Sequence, residues 1–136
     1  MAVISELIRK EEDGTISFGN YELTIKTKKS DFEVNGDIYK IKTFNEITKL
    51  EKNELFVYES VPGTAVEHMK AAEDGIEFEV TGYKDAQITV ELAPETEYTI
   101  LIDGTKTGKM TTSLGGKLSL SVELEPEKNI AVKIVK

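Results

Sequence analysis

Apolar and polar residues alternate along most of this chain, most cleanly in its second half. Ile76, Phe78 and Val80 share one face and Glu77 and Glu79 the other. Ile88, Val90 and Leu92 oppose Gln87, Thr89 and Glu91. Tyr98, Ile100 and Ile102 form a third oily face, Leu118, Leu120, Val122 and Leu124 a fourth, and Ile130, Val132 and Ile134 a fifth. A period of two marks a strand with one buried and one wet side, as in the antiparallel sheets of a sandwich. The first half is β-rich but less regular. Residues 15–27 read as two short strands around Gly19-Asn20, and 31–43 as a hairpin around Asn35-Gly36. Asp13-Gly14, Asn35-Gly36, Asp74-Gly75 and Asp103-Gly104 are hairpin signals, because Gly, Asn and Asp tolerate positive φ, and Gly19-Asn20 and Gly115-Gly116 read as two more.

Three stretches leave a choice. Val3, Ile4, Leu7 and Ile8 fit helical spacing as well as a two-faced strand. Phe44, Ile47 and Leu50 fit a short helical turn. Thr64 followed by Glu67 resembles a capping box ahead of a helix ending at Gly75, yet a strand through 65–71 is favoured, because Asp74-Gly75 then closes a hairpin with 76–81. Leu55, Phe56, Val57 and Tyr58 are consecutive and cover both faces of a strand, so 54–59 reads as the central strand joining the two halves. Pro62-Gly63 punctuates the chain. The expected organisation is all-β: an N-terminal antiparallel sheet over 1–61, followed by an Ig/fibronectin-like β-sandwich over 62–136. Neither part is large enough to be comfortable alone, so a shared core or an oligomer is expected.

Composition narrows the chemistry. The chain has 136 residues, 39% of them hydrophobic and 31% charged, enough for a real core. Its 25 acidic residues against 17 basic ones give a net charge of −8, which argues against nucleic acid or an anionic membrane as partner. There is no cysteine, so disulfides, thiolate nucleophiles and Cys-ligated zinc are excluded. No apolar run approaches a membrane span and the N-terminus has no signal-peptide pattern, so the default expectation is the cytoplasm, with release or association with a particle left open.

Two resemblances bear on function. Residues 75–136, above all PETEYTILIDGTKTGKMTTSLGGKLSLSVEL, resemble the small β-sandwich module appended to bacterial polysaccharide-degrading enzymes, which implies a non-catalytic accessory role. The whole chain, through SDFEVNGDIYKIKTF and LFVYESVPGTAVE, resembles short bacterial proteins labelled "endosialidase". That resemblance implies a sialidase, and such enzymes resemble one another in holding the sialic acid carboxylate with a cluster of arginines.

The residues supply little for bond-breaking. Arg9 is the only arginine. Tyr58-Glu59 pairs a nucleophile type with an acid, but neighbours in a strand point to opposite faces. Among 25 acidic residues a pair of carboxylates for glycoside hydrolysis can always be found, but the acids fall mostly on wet strand positions or in turns, which reads as a solvated face. His68 is the only histidine, with no nucleophile elbow to serve. The acidic turns Glu11-Glu12-Asp13-Gly14 and Glu73-Asp74-Gly75 lack calcium-loop spacing, and Gly104–Lys109 lacks the Ser or Thr of a phosphate loop, since Met110 follows. No catalytic residue, metal site or cofactor is therefore expected.

What remains is binding. The leading expectation is a non-catalytic structural protein, a homo-oligomer that self-associates through β-sheet surfaces. Val3, Ile4, Leu7, Ile8, Phe56 and Tyr58 are its expected contacts between copies. The alternating Ser and Glu of 117–125, with Lys133 and Lys136, read as protection of exposed strand edges. The alternative is a carbohydrate-binding accessory module in which Tyr39, Tyr58 and Tyr83 stack on a glycan. A sialidase-type glycosidase, implied by the second resemblance alone, comes third.

Overall fold

The computed structural model describes residues 3–136. Within them every regular element is a strand. The thirteen strands are β1 (Ile8–Lys10), β2 (Ile16–Phe18), β3 (Thr27–Val34), β4 (Asp37–Phe44), β5 (Ile47–Lys52), β6 (Leu55–Val61), β7 (Thr64–Ala72), β8 (Gly75–Gly82), β9 (Ala86–Glu91), β10 (Glu97–Ile102), β11 (Thr105–Thr111), β12 (Lys117–Val122) and β13 (Ile130–Val135). They form two antiparallel sheets. Sheet A runs β1-β2-β7-β8-β13-β10-β11 and sheet B runs β12-β9-β6-β5-β4-β3. No described helix is long and apolar enough to cross a membrane.

The period-two faces place the core between the sheets. Sheet A turns Ile8, Phe18, Val66, Phe78, Val80, Ile100, Val132 and Ile134 inward, and sheet B turns Ile41, Leu50, Tyr58, Ile88, Val90 and Val122 against them. At the centre the Tyr58 ring of sheet B meets Phe18 at 5.3 Å and Phe78 at 5.6 Å, both of sheet A and both edge to face. This is a favoured aromatic geometry, worth about 1 kcal/mol per pair beyond the area buried.

The expected all-β sandwich is observed, and the topology shows how the halves combine. β6 lies between β5 and β9, so the two-faced strand joins strands from either side of Pro62-Gly63. Each sheet draws on both halves of the chain: β1 and β2 belong with β7, β8, β10, β11 and β13, while β9 and β12 complete the sheet of β3–β6. Pro62-Gly63 marks the step from sheet B to sheet A. Residues 64–72 form a strand, hairpinned to β8 as favoured above. Phe44 ends β4 and Ile47 begins β5, so the helical turn considered there is a hairpin instead. Gly19-Asn20 and Gly115-Gly116 are not hairpins. Each lies on a passage between sheets, and the short strand expected after Asn20 is replaced by the irregular path to β3. Lys133 is on β13, an interior strand between β8 and β10, and pairs across to Glu77 at 4.0 Å rather than guarding an edge.

The step at Pro62-Gly63 is held by a buried knot of hydroxyls. Thr48 Oγ1 of sheet B accepts from the Thr64 amide at 3.1 Å and donates to the Thr64 carbonyl at 2.9 Å. Its proton being spent there, Thr43 is the donor in the 2.8 Å contact between the two threonines, and Thr43 in turn accepts from the Asn20 amide at 2.9 Å. Thr64 Oγ1 meets the Tyr58 hydroxyl at 2.8 Å and Ser60 Oγ at 2.7 Å. All five side chains are fully buried. The backbones crowd accordingly. A Cβ on Gly63 would stand 2.0 Å from the Phe44 carbonyl oxygen, and one on Gly19, at φ +99°, 2.4 Å from that of Thr64. Burial pushes the Tyr58 phenol up, against the smaller opposing effect of its hydrogen bonds to Thr64 and Ser60, so it stays a neutral hydrogen-bonding group.

Replacing Thr64 by Val keeps the β-branched shape and leaves the Tyr58 and Ser60 hydroxyls without their partner. Roughly 1–3 kcal/mol of stability is expected to be lost for each orphaned group, measured by urea unfolding. Thr89→Val, which removes a hydroxyl bonded to Ser119 on the outward face, should change stability by less than about 0.5 kcal/mol. Equal effects at the two positions would contradict the structural role given to Thr64.

Candidate functional site

Strand direction alternates, so the turns β1–β2, β3–β4, β5–β6 and β7–β8 gather at one end of the sandwich. A groove of about 1180 Å³ runs past this end, and its lining includes Asp13, Thr15, Tyr39, Asn53, Phe56 and His68. His68 reaches it through a bulge. It is the extra residue of β7 against both β2 and β8, at φ +54°.

His68 brings the most reaction-like group in the molecule. Its Nδ1 lies 3.2 Å from Thr15 Oγ1 and 3.6 Å from Asp13 Oδ2. Acid, hydroxyl and imidazole are thus together, but in the wrong order. Thr15 Oγ1 donates to Asp13 Oδ1 at 2.5 Å, and the Asp13 carboxylate also accepts from the Thr15 amide at 3.0 Å. The hydroxyl proton faces the carboxylate, so the 3.2 Å contact fits donation from His68 Nδ1 to Thr15 Oγ1, the reverse of a general-base arrangement. The arrangement is an Asx turn capped by a histidine. The Asp13 carboxyl is held below the usual range by the Thr15 hydroxyl and amide, with His68 a lesser cause.

Arg9 is likewise occupied. Its Nε donates to Glu11 Oε2 at 3.0 Å and its guanidinium lies 3.7 Å from Glu6. Ser17 Oγ donates to the same Glu11 oxygen and accepts from the His68 amide at 3.1 Å. No second arginine exists to build a carboxylate clamp. Among the described residues no group of three or more His, Asp or Glu side chains is arranged to hold a metal ion.

The three tyrosines expected at a glycan lie apart. Tyr58 is at the centre of the core, Tyr39 is half-buried beside the groove, and Tyr83 is 38% exposed near the other end. The Tyr83 hydroxyl donates to the Asn45 carbonyl at 2.8 Å, and Asn45, in the turn just past β4, is six residues on from Tyr39, roughly 20 Å of extended chain. Tyr83 stacks instead on Tyr21, centroids 6.0 Å apart, a neighbour the alternation pattern did not reveal. Close by, Asn45 Oδ1 is a buried acceptor without a partner among the described residues.

Of the residues expected between copies, Ile4 and Ile8 are 1% exposed and Tyr58 is fully buried, all inside this chain's own core. Leu7 is half-buried and packs on that core, and Val3 is half-buried. Phe56 is half-buried under the Lys117 ammonium, 4.6 Å from its ring centre. The open surfaces lie elsewhere. β11 pairs only with β10, and all seven of its residues are exposed. Sheet A has one strand more than sheet B, and beside β11 a notch of about 300 Å³ is lined by Ile100, Ile102, Met110 and Leu120. β12 (Lys117–Val122) is an edge of sheet B and carries Ser119 and Ser121 of the alternation read over 117–125, while Glu123 and Glu125 lie past its end.

Compared with known proteins, the chain matches no family model, no curated protein and no solved structure.

The Glu11 carboxyl is held below the usual range first by the Ser17 hydroxyl, then by Arg9. A depressed folded-state value stabilises the fold above the ordinary carboxylate range, and that contribution is lost as pH falls through the folded value. Glu11→Gln should therefore be less stable than wild type near pH 7, with the gap closing at acid pH in urea titrations. A gap that stays constant or widens on acidification would contradict the assignment.

Proposed function

We infer that this chain is a non-catalytic structural protein that self-associates through the surfaces of its sheets. The observation that supports this reading best is β11, which offers a free edge of main-chain donors and acceptors and two exposed faces. Such an edge is a template for pairing with another chain. Gly108 and the register shift between Ile100 and Leu101 interrupt it, and Lys106 and Lys109 charge it, so pairing there is selective rather than open-ended. The chemistry-bearing side chains point the same way: Tyr58, Ser60 and Thr64 are bonded to one another in the core, and Ser17, Glu11 and Arg9 form a closed set. Size-exclusion chromatography with light scattering should return a mass above the 15.1 kDa of one chain, rising with concentration. A 15.1 kDa species at every concentration would contradict the reading.

A second reading, a carbohydrate-binding module, rests on Tyr83 stacked on Tyr21, with the Lys84 ammonium 5.6 Å from the Tyr83 ring. Calorimetric titration with sialylated and plant-type oligosaccharides should show binding that Tyr83→Ala removes. No heat at about millimolar sugar, the weak end of specific recognition, would dismiss it.

A further inference from the structure

The outward faces of the two sheets carry rows of like charge on interior strands. Across sheet B the register sets Lys28 opposite Lys42, Lys42 opposite Lys49, and Lys49 opposite Glu59. The flanking Ile41, Thr43, Thr48, Leu50 and Ser60 are buried, so this row faces outward. Its charges read plus, plus, plus, minus. Lys49 has Glu51 at 3.8 Å, while Lys26, Lys28, Lys40 and Lys42 have no described carboxylate within 4.0 Å. Partial burial, then the nearby Lys26, Lys49, Lys28 and Lys40, hold the Lys42 ammonium below the usual lysine range.

Across sheet A the register sets Arg9 opposite Ser17, Ser17 lies against the Glu67–His68 bulge, and Glu67 is opposite Glu79. The Glu11 carboxylate sits on Ser17. The flanking Ile8, Ile16, Phe18, Val66, Phe78 and Val80 pack into the core, so this row lies on the outer side of the sheet, where Ser17, itself buried, is covered by the Glu11 carboxylate. Read from β8 to β1 it is Glu79, Glu67, Glu11 and Arg9: minus, minus, minus, plus, the last two already joined to one another at 3.0 Å. Asn129 Nδ2 spans Glu67 at 3.4 Å and Glu79 at 2.9 Å, which eases their repulsion only in part.

Like charges directly opposite on neighbouring strands destabilise an isolated sheet. Lysines on an edge strand protect it from pairing, but Lys42 and Lys49 stand on β4 and β5, away from either edge of sheet B. Both rows step from strand to strand at about 4.8 Å, so they match in pitch as well as in sign. Glu59 at the fourth position would repel a uniform polyanion, whereas Arg9 of a second copy answers it.

Resting on the self-association reading, we propose that the outward face of sheet B in one copy docks on the outward face of sheet A in the next, with Lys28, Lys42, Lys49 and Glu59 against Glu79, Glu67, Glu11 and Arg9. The two faces differ and lie on opposite sides of the sandwich. The contact is therefore head to tail, leaves one face of each kind free, and propagates into a ring or a filament.

The test is sedimentation velocity on wild type, on the double variant Lys42→Glu/Lys49→Glu and on Glu67→Lys/Glu79→Lys, with circular dichroism to check folding. Wild type should associate at about 0.1 M ionic strength and dissociate at about 1 M, as the screening length drops from roughly 10 Å to 3 Å. Each variant alone should sediment as a monomer at low salt, and an equimolar mixture of the two should associate as 1:1 pairs, because the unaltered sheet B face of Glu67→Lys/Glu79→Lys then meets the unaltered sheet A face of Lys42→Glu/Lys49→Glu. Wild type that stays monomeric at all salt concentrations would remove the underlying reading. Association that ignores salt, or that both variants retain, would leave that reading standing and overturn this one. So would a mixture that fails to associate when both variants are folded. Retention on polygalacturonate lost only in Lys42→Glu/Lys49→Glu, with association unchanged, would overturn it in favour of an anionic glycan on the lysine row.

Discussion

The sandwich depends on the place where the chain steps from sheet B to sheet A. There the amide and carbonyl of Thr64 would be buried without partners, and the Thr48 hydroxyl answers both. The same step requires close backbone approach, which Gly19 and Gly63 permit because neither carries a Cβ. Once these contacts form, Tyr58 is fixed between Phe18 and Phe78, and the inner faces of the two sheets are aligned. A fully satisfied polar network of this kind specifies one arrangement where an oily core alone would tolerate several.

Hydroxyls in the core are committed to one another. On the surface, Thr15, Ser17, Asp13, Glu11, Arg9 and His68 hold the β1–β2 turn to the β7 bulge. Outside lie the end strands β1 and β11 of sheet A and β12 and β3 of sheet B, the groove past the turns, and two outward faces whose charge rows oppose each other in sign. The assembly proposed through such surfaces would give a role to three lysines set side by side in a protein of net charge −8.

Local pattern and long-range pairing differ sharply in how much of the sequence reveals them. The alternating runs mark β8, β9, β10, β12 and β13, and Asn35-Gly36 and Asp103-Gly104 mark real hairpins, because period and turn chemistry act over a few residues. The turn at Asn53-Glu54 lacks a glycine and went unmarked, although both residues take positive φ there. Sheet membership was illegible: Gly19-Asn20 permits a hairpin or a sheet-to-sheet passage equally well, and only tertiary packing decides. Ile4, Ile8 and Tyr58 show the same limit, since an apolar residue suits its own core and a partner's surface alike. The charge rows were hidden for a related reason. Lys28, Lys42 and Lys49 are spread over 22 positions of sequence and meet only through register.

The most direct view of the central claim comes from zero-length carbodiimide cross-linking of a mixture of ¹⁴N- and ¹⁵N-labelled chains, read by mass spectrometry. Carbodiimide joins an amine only to a carboxylate in contact with it, and mixed-isotope products arise only between copies. The account predicts mixed-isotope links from Lys28, Lys42 or Lys49 to Glu67 or Glu79. Links confined within single chains, or mixed links that avoid these residues, would contradict it.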